Sequence, residues 1–206
     1  MTPPTIAVVS AGLRVPSSSR LLADQLGDAV AAALGPAGAR LVTIELREYA
    51  HAITDALLTG FASGALAEAV AEVVAADAVI VVTPTFGASY SGLFKSFIDV
   101  LEPDALRDKP IVLAATGGTE RHSLMLEHAP RPLFSHLAAA PVSTAVYAAT
   151  ADFGGPGSAA LAGRVERPAR ELAAALISRP QASKRDQEPG TDSLVPFEQM
   201  LARLSA

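Results

Sequence analysis

Cysteine is absent from the 206 residues of this chain. Its absence excludes disulfide bonds, thiolate nucleophiles, iron–sulfur clusters and cysteine-based zinc sites. The four histidines stand at none of the HxxH, HxH or HExxH spacings that bind metals, so no metal ion is expected. Positive charge is also scarce. The chain has 16 lysines and arginines against 21 acidic residues, and the net charge of −5 argues against a nucleic-acid partner.

Long apolar runs are missing as well. None reaches the roughly 18 to 20 uncharged residues that a membrane-spanning helix needs, so no membrane association is expected. The first residues, MTPPTIAVVSAGLR, contain neither a positively charged region nor a cleavage-like site, and they indicate a first strand rather than a signal peptide. Half of the residues are apolar and 18% are charged, which is typical of a globular domain. We therefore expect a cytoplasmic protein with one main domain.

Short apolar runs rich in β-branched residues alternate with longer, alanine-rich segments of helical periodicity. The runs predict strands at 5–9, 40–46, 78–84, 110–116 and 142–149. The longer segments predict helices at 18–34, 64–76, 91–101, 121–138 and 157–178. Nearly continuous apolar strands between helices indicate a parallel sheet covered on both faces, which is a doubly wound α/β domain of three layers.

The domain is expected to occupy residues 1–178, and residues 179–206 are predicted to form a polar linker and a short C-terminal helix. Four apolar residues of this last segment recur at helical spacing: Phe197, Met200, Leu201 and Leu204. A helix this short is marginal by itself. We therefore expect it to pack on a neighbouring subunit or on a partner protein.

In a doubly wound sheet, ligands bind beyond the carboxyl ends of the strands, where the strand order reverses. After the first strand, the segment SAGLRVPSSSR matches neither the GxGxxG nor the GxxxxGK[ST] nucleotide-binding motif. It offers instead the guanidinium of Arg14 and several hydroxyls, those of Ser10, Ser17, Ser18 and Ser19. Such side chains at a helix N-terminus favour a bound phosphate monoester. Helix capping by one serine is the alternative.

The segments after the third and fourth strands offer a place for a flat ligand. In TPTFGASY (83–90), the small residues of GAS allow a planar molecule to approach the backbone, with Phe86 or Tyr90 as a ring contact. The aromatics that follow, Phe94 and Phe97, are interpreted as core residues. The segment TGGT (116–119) supplies flexible backbone and hydroxyls that can match the donors and acceptors of a flavin's pyrimidine edge, although a plain turn would have the same composition.

Together the three segments describe a phosphate cradle, a planar slot and a loop rich in free backbone groups at one edge of the sheet. These features predict a site for FMN. Hydride transfer to a flavin needs neither a cysteine nor a metal nor a catalytic triad, because the cofactor carries the chemistry. We therefore expect no catalytic side chain.

The string TPTFGASYSGLFKSFIDVLEPDALRDKPIVLAATGGTERHSL, together with the serine-rich first loop, resembles the NADPH-dependent FMN reductase family of flavodoxin-like proteins. The similarity runs from about residue 5 to residue 150 and is strongest to the branch of the alkanesulfonate FMN reductases. It implies a flavodoxin-like three-layer fold with a five-stranded parallel sheet in the order 2-1-3-4-5. It also implies FMN and NAD(P)H as ligands and a two-component flavin-dependent monooxygenase as the partner that receives reduced FMN.

The resemblance assigns residues to each part of FMN. Phosphate binding falls on Arg14, Ser17 and Ser19, with Ser10 and Ser18 beside them. Contacts to the isoalloxazine ring fall on Pro84, Thr85, Phe86 and Gly87. The second flavin loop contains Thr116, Gly117 and Gly118. Two positions depart from the family. Phe86 stands where Tyr is common, and His128 stands where the alkanesulfonate branch inserts a Tyr in a π-bulge.

The expected function is reduction of FMN by NAD(P)H and its release to a separate monooxygenase. One alternative is an enzyme that keeps FMN as a prosthetic group and reduces quinones or azo dyes. Another is a flavodoxin-like electron carrier, which a net charge of only −5 disfavours. A homodimer or homotetramer is expected. The helix at 121–138 contains Pro130 and Pro132, so we expect it to be kinked or bulged and to lie at a subunit interface, with burial inside the monomer as the alternative.

Overall fold

The structure, a computed structural model, describes residues 2–155 and 157–178. Seven strands lie in these residues: Thr5–Ser10 (β1), Arg40–Glu45 (β2), Ala78–Phe86 (β3), Ser89–Tyr90 (β4), Pro110–Gly117 (β5), Ala140–Pro141 (β6) and Val146–Ala149 (β7). Seven α-helices accompany them: Ser18–Ala33 (α1), Ala50–Thr59 (α2), Gly64–Ala75 (α3), Gly92–Val100 (α4), Met125–His128 (α5), Pro130–His136 (α6) and Gly157–Ser178 (α7). The predicted linker and C-terminal helix lie outside the described residues.

The sheet is parallel and follows the order β2-β1-β3-β5, with β6 and β7 both paired to the outer side of β5. Only β4 runs antiparallel among the described strands, as a hairpin on the end of β3. Helices α1 and α7 cover one face, and α2, α3 and α4 cover the other. The predicted α/β class, with a parallel sheet between helices, is therefore confirmed, and its strand order is the flavodoxin-like one.

The number of strands differs from the prediction of five, which is wrong because the described residues form seven. The strand predicted at 142–149 is divided into β6 and β7. Between these two strands, Arg131 donates hydrogen bonds of 3.1 Å to two consecutive backbone carbonyls. Glu171 accepts hydrogen bonds from the backbone N–H and the hydroxyl of Thr144, at 2.8 and 2.6 Å. These side chains bind the backbone polar groups of the segment in which the strand is interrupted.

The carboxyl end of the third strand also differs from the prediction. It was expected to end at residue 84, but β3 continues to Phe86 and turns back into β4. Gly87 and Ala88 have φ values of 56° and 64°. Positive values at both central residues are what a two-residue hairpin turn of matching twist requires. The segment predicted as a loop is therefore a hairpin.

Two helical segments depart from the predicted pattern. Helix α2 was not predicted; it ends at Gly60, whose φ of 85° closes the helix in the left-handed conformation. The single helix predicted at 121–138 is divided into α5 and α6 at Ala129, whose φ of −124° and ψ of −66° leave the helical region. Pro130 follows at the start of α6, where its missing N–H costs no hydrogen bond. The expected interruption near the prolines is confirmed.

The central strands are buried on both faces. In β1, Ile6 and Val8 pack towards α1 and α7, whereas Ala7 and Val9 pack towards α2, α3 and α4. All four residues are at most 1% exposed. This two-sided burial is the physical reason for the nearly continuous apolar runs that predicted a parallel sheet.

No single helix of the described residues is long and apolar enough to cross a membrane. The segments Leu46–Thr59 and Gly64–Ala75 reach that hydropathy only when taken together, and they meet at a bend of 89°.

A buried lysine caps helix α3. Lys109, 7% exposed and directly before β5, donates hydrogen bonds from Nζ to the carbonyls of Val74 and Ala76, at 2.6 and 2.7 Å. The last carbonyls of a helix have no partner within the helix, and a cation is favourable at this end of the helix dipole. The side chain thus satisfies groups that would otherwise be buried without hydrogen bonds.

Replacing this lysine should destabilise the protein. We expect Lys109→Met to lower the free energy of unfolding by about 1.5–3 kcal/mol, because hydrogen bonds from a charged donor to buried carbonyls are lost. Urea denaturation measures the change. The matched control is Lys95→Met, which removes a half-exposed pair with Asp99 on α4 and should cost less than about 0.5 kcal/mol. Equal losses for the two variants would contradict the capping role.

Candidate functional site

The first loop connects β1 to α1 and folds tightly on itself. Ser10, at the end of β1, is 1% exposed beneath the loop. Ser17 caps α1, since its Oγ accepts a hydrogen bond from the N–H of Arg20 at 3.2 Å. A Cβ at Gly12 would come within 1.9 Å of the Ser17 Oγ, so this close approach requires glycine. Helix capping therefore accounts for one of the three serines.

The helix N-terminus leaves two backbone donors for an anion. The first N–H groups of any α-helix have no partner inside the helix, and the Ser17 hydroxyl takes only that of Arg20. The N–H groups of Ser18 and Ser19 therefore point out of the helix end, where the dipole favours negative charge. Ser18 itself is exposed. The Ser17 hydroxyl can still donate its own proton to an oxygen outside the helix.

The two arginines of this region have different environments. Arg20 contacts Asp24 at 2.8 Å and Glu45 at 2.5 Å. The hydrogen bond to Asp24, with the charges of both carboxylates, raises the pKa of Arg20 against the opposing effect of burial. Arg14 is exposed, and no carboxylate of the described residues lies within 4 Å of its guanidinium. Arg14 is consequently the cation that can turn to a ligand.

A buried hydrogen bond ties the first loop to the end of β5. The Ser19 Oγ lies 2.8 Å from the Thr116 Oγ1, and both residues are at most 4% exposed. These residues are 97 positions apart in the chain. The Ser19 hydroxyl, which the resemblance assigns to phosphate, is thus bonded to another residue of the candidate site, while the Ser19 backbone N–H stays at the helix end.

The hairpin after β3 is rigid at its base and open at its tip. The Thr83 hydroxyl accepts a hydrogen bond from the N–H of Ser91 at 3.0 Å, and Ser91 in turn caps α4. Pro84 and Thr85 are half-buried at the edge of the sheet, whereas Phe86 is 50% exposed. Gly87 and Ala88 are exposed at the turn.

Tyr90, considered as a ring contact, belongs to the core. Its ring is 5.8 Å from that of Phe94, which packs in turn on Phe134. Of the two aromatic residues weighed for a flat ligand, Phe86 is therefore the one whose ring is free to meet it.

The loop after β5 changes from buried to exposed within three residues. Thr116 is 4% exposed, Gly117 is half-buried and Gly118 is exposed. A Cβ at Gly117 would lie 2.0 Å from the hydroxyl oxygen of Tyr147, so only glycine fits there. Sequence reasoning did not select Tyr147. The available signal was a tyrosine near the carboxyl end of an otherwise apolar strand.

Strand pairing brings the three segments to one edge. Ser10 is paired with Val82 between β1 and β3, and Pro84 is paired with Thr116 between β3 and β5. The structure thus gathers the segments that contain the twelve predicted residues at the carboxyl ends of three adjacent strands. The individual ligand contacts of those residues remain predictions.

Open space borders two glycines at this edge. No heavy atom lies within 4 Å of the position that a Cβ would occupy at Gly87 or Gly118. The backbone of both loops therefore faces room in which a flat ring can lie. The helix N-terminus and Arg14 stand at the neighbouring strand, as a phosphate at the other end of the molecule requires.

Three ionisable residues that follow the loop after β5 lie at the surface. Glu120, His122 and His128 are all exposed. Glu127 is hydrogen-bonded by Arg131, which lowers the pKa of Glu127 although partial burial opposes the shift. That carboxylate thus carries a structural ion pair.

Comparison with known proteins places the chain in a family. The sequence profile described as NADPH-dependent FMN reductase matches residues 4–153. The chain is 39% identical to an FMN reductase (NADPH) of Pseudomonas aeruginosa over 154 residues, which cover 74% of this chain and 81% of that protein. It is 36% identical to the NADH-dependent FMN reductase SfnE of Pseudomonas putida over 186 residues, covering 89% and 98% of the two chains.

A solved structure agrees with these sequence relatives. An oxidoreductase from Corynebacterium diphtheriae superposes with a TM-score of 0.82 at 44% identity, covering 87% of this chain and 100% of that chain. Fold and sequence similarity therefore lead to one assignment. The protein belongs to the NADPH-dependent FMN reductase family.

Proposed function

We propose that this protein reduces FMN with NAD(P)H and delivers the reduced FMN to a separate two-component flavin-dependent monooxygenase. The observation that carries the proposal is the edge formed by β1, β3 and β5. It combines the N-terminus of α1 and Arg14, which no carboxylate of the described residues contacts, with two glycine-containing loops that face open space. The family match and the two Pseudomonas reductases support the same reaction.

Each loop binds one part of the flavin in this proposal. Arg14, the N–H groups of Ser18 and Ser19 and the Ser17 hydroxyl hold the phosphate, while Ser10 supports the loop from below. The ring lies against Pro84, Thr85, Phe86 and Gly87. Its pyrimidine edge meets the backbone of Thr116, Gly117 and Gly118. When bound, FMN supplies the ring nitrogen that accepts a hydride from the nicotinamide of NAD(P)H.

The exposure of the ring-binding loops favours release of the product. Phe86 is half-exposed, and Gly87 and Gly118 are exposed. In the described residues, no segment covers the tip of the hairpin. A flavin bound there is reached by solvent and by a second protein, which suits an enzyme that uses FMN as a substrate.

We also propose that the protein is a cytoplasmic homodimer or homotetramer whose domain spans residues 1–178. Leu57, Leu58 and Phe61, at the end of α2, are 45%, 81% and 66% exposed and form an apolar corner of the surface. The segment 121–138, also expected at an interface, adds Leu124, which is 65% exposed, whereas Met125 and Phe134 are buried within the monomer. A second copy that covers the apolar corner would remove this surface from water.

Removing the Arg14 charge tests the function and the orientation of the flavin together. We expect Arg14→Ala to raise the KM for FMN about ten- to a hundredfold, because a charge-assisted contact to phosphate is worth about 1.5–3 kcal/mol. The KM for riboflavin, which lacks the phosphate, should change little. Steady-state oxidation of NADH and NADPH with each flavin measures both effects.

The control for this experiment is Arg40→Ala. Arg40 begins β2 at the opposite end of the sheet, where it contacts Glu72 at 3.4 Å. Arg40→Ala removes the same charge and should leave the KM for both flavins unchanged. Equal losses of FMN and riboflavin in Arg14→Ala would contradict the phosphate assignment, and absence of flavin reduction by the wild-type protein would refute the function.

No side chain should act as an essential acid or base. The hydride passes between the two bound molecules, and the ionisable groups near the edge are exposed. We expect Glu120→Gln, His122→Asn and His128→Asn each to keep kcat within about tenfold of the wild type. A thousandfold loss of kcat with unchanged flavin binding, about 4 kcal/mol, would instead identify a catalytic group.

A further inference from the structure

We propose that Tyr147 is a positioning residue of the flavin site, whose hydroxyl sets the spacing between the hairpin after β3 and the loop after β5. The inference rests on the proposed function, because it assigns to Tyr147 the task of holding the two loops that meet the flavin ring. Tyr147 acts through Thr85 and Gly117 and does not itself touch the reacting atoms.

The geometry at the tip of Tyr147 carries the proposal. Its hydroxyl oxygen lies 3.4 Å from the Thr85 Oγ1. The same oxygen would lie 2.0 Å from a Cβ at Gly117, and that Cβ would also be 3.4 Å from the Thr85 Oγ1. The phenol therefore ends beside both Thr85 and Gly117. Any side chain at Gly117 would push one of the three groups away.

The tyrosine is held firmly from behind. It is 7% exposed on β7, where its Cα is paired with that of Ala115 on β5. The backbone carbonyl of Tyr147 accepts a hydrogen bond from Arg164 of α7 at 3.3 Å. Arg164 also contacts Asp152 at 2.5 Å, and Asp152 accepts the N–H of Ala149 at 2.7 Å. Arg164 thus ties β7 to α7 at Tyr147 itself and, through Asp152, at the carboxyl end of the strand.

The Tyr147 hydroxyl sets the spacing of the two loops and contributes little to the stability of the fold. Its separation from the Thr85 Oγ1 lies beyond the 2.5–3.0 Å of a strong O–H···O hydrogen bond, so the contact contributes little to folding. The ring of Tyr147 belongs to the buried core on its own. Removal of the hydroxyl alone should therefore leave the fold intact and change only how far apart the two loops stand.

The phenylalanine at position 86 makes the Tyr147 hydroxyl more important in this chain. Phe86 carries no hydroxyl at the hairpin tip, so the hydroxyls recorded around Gly117 are those of Thr85, Tyr147 and Thr150, the last of which donates to the Gly117 carbonyl at 3.4 Å. The affinity for a flavin ring that lies against Thr85 and the backbone of Gly117 would change if either residue moved. The phenol reaches both from a third strand.

A double-mutant cycle tests the inference. We expect Tyr147→Phe and Thr85→Val each to weaken FMN and riboflavin by the same factor, about five- to tenfold, since the change lies at the ring and not at the phosphate. The KM for FMN should rise with little change in kcat. The double variant should bind no more weakly than Thr85→Val alone, because the two hydroxyls act as one unit. Thr85→Ser, which keeps a hydroxyl, should restore most of the affinity.

Quenching of flavin fluorescence gives the dissociation constants, and thermal unfolding separates position from stability. Tyr147→Phe should shift the melting temperature by less than about 3 °C. Tyr49→Phe, which removes a phenol hydroxyl from a half-buried residue outside the site, should change neither flavin affinity nor melting temperature. Wild-type affinity in Tyr147→Phe, or additive losses in the double variant, would overturn the inference.

Arg14→Ala in the same experiment separates a failure of the role of Tyr147 from a failure of the proposed flavin site. If it weakens FMN selectively while Tyr147→Phe has no effect, the flavin site stands and the role of Tyr147 is refuted. If Arg14→Ala weakens both flavins equally, the proposed placement of the flavin fails, and the inference about Tyr147 is overturned with it.

Discussion

The parallel pairing of β3 with β1 on one side and with β5 on the other determines where every residue of the candidate site lies. The pairing aligns Ser10 with Val82 and Pro84 with Thr116. Because all three strands run in the same direction, their carboxyl ends meet at one edge. The strands themselves are apolar and buried on both faces. Polar side chains are therefore tolerated only where the strands end. Chemistry is therefore confined to the loops of that edge.

At the edge, hydroxyl groups connect the loops. Ser19 and Thr116 join the first loop to the end of β5 at 2.8 Å, and Tyr147 stands between the hairpin and the same end of β5. The loops consequently depend on one another although they are far apart in sequence.

The two arginines of the same region have different roles. Arg20 is committed to Asp24 and Glu45, and this leaves Arg14 for a ligand.

Local patterns were sufficient to predict much of the fold. Apolar runs predicted four of the five expected strands and the class of the sheet, because burial of β1, β3 and β5 on both faces leaves a direct trace in the sequence. The interruption between β6 and β7 left no such trace, since it depends on Arg131 and Glu171, which approach from other elements. The hairpin at Gly87 was open to prediction from its glycine, but Ala88 also has a positive φ, which few alanines adopt.

The candidate site shows the same division between local and distant causes. The serine-rich first loop, the GAS turn and the TGGT segment are local signals, and all three lie at one edge of the sheet. The bond between Ser19 and Thr116 and the approach of Tyr147 to Gly117 are contacts between distant segments. Periodicity and motif spacing contain no information about such contacts, because they arise only when the strands pair.

The most direct test of this account is a structure determined with FMN bound. The account predicts the phosphate within hydrogen-bond distance of the Ser18 and Ser19 N–H groups and of the Arg14 guanidinium. It predicts the isoalloxazine ring against Phe86 and Gly87, with the pyrimidine edge at Gly117 and Gly118. A phosphate bound away from the N-terminus of α1, or a ring bound elsewhere than between these two loops, would contradict it.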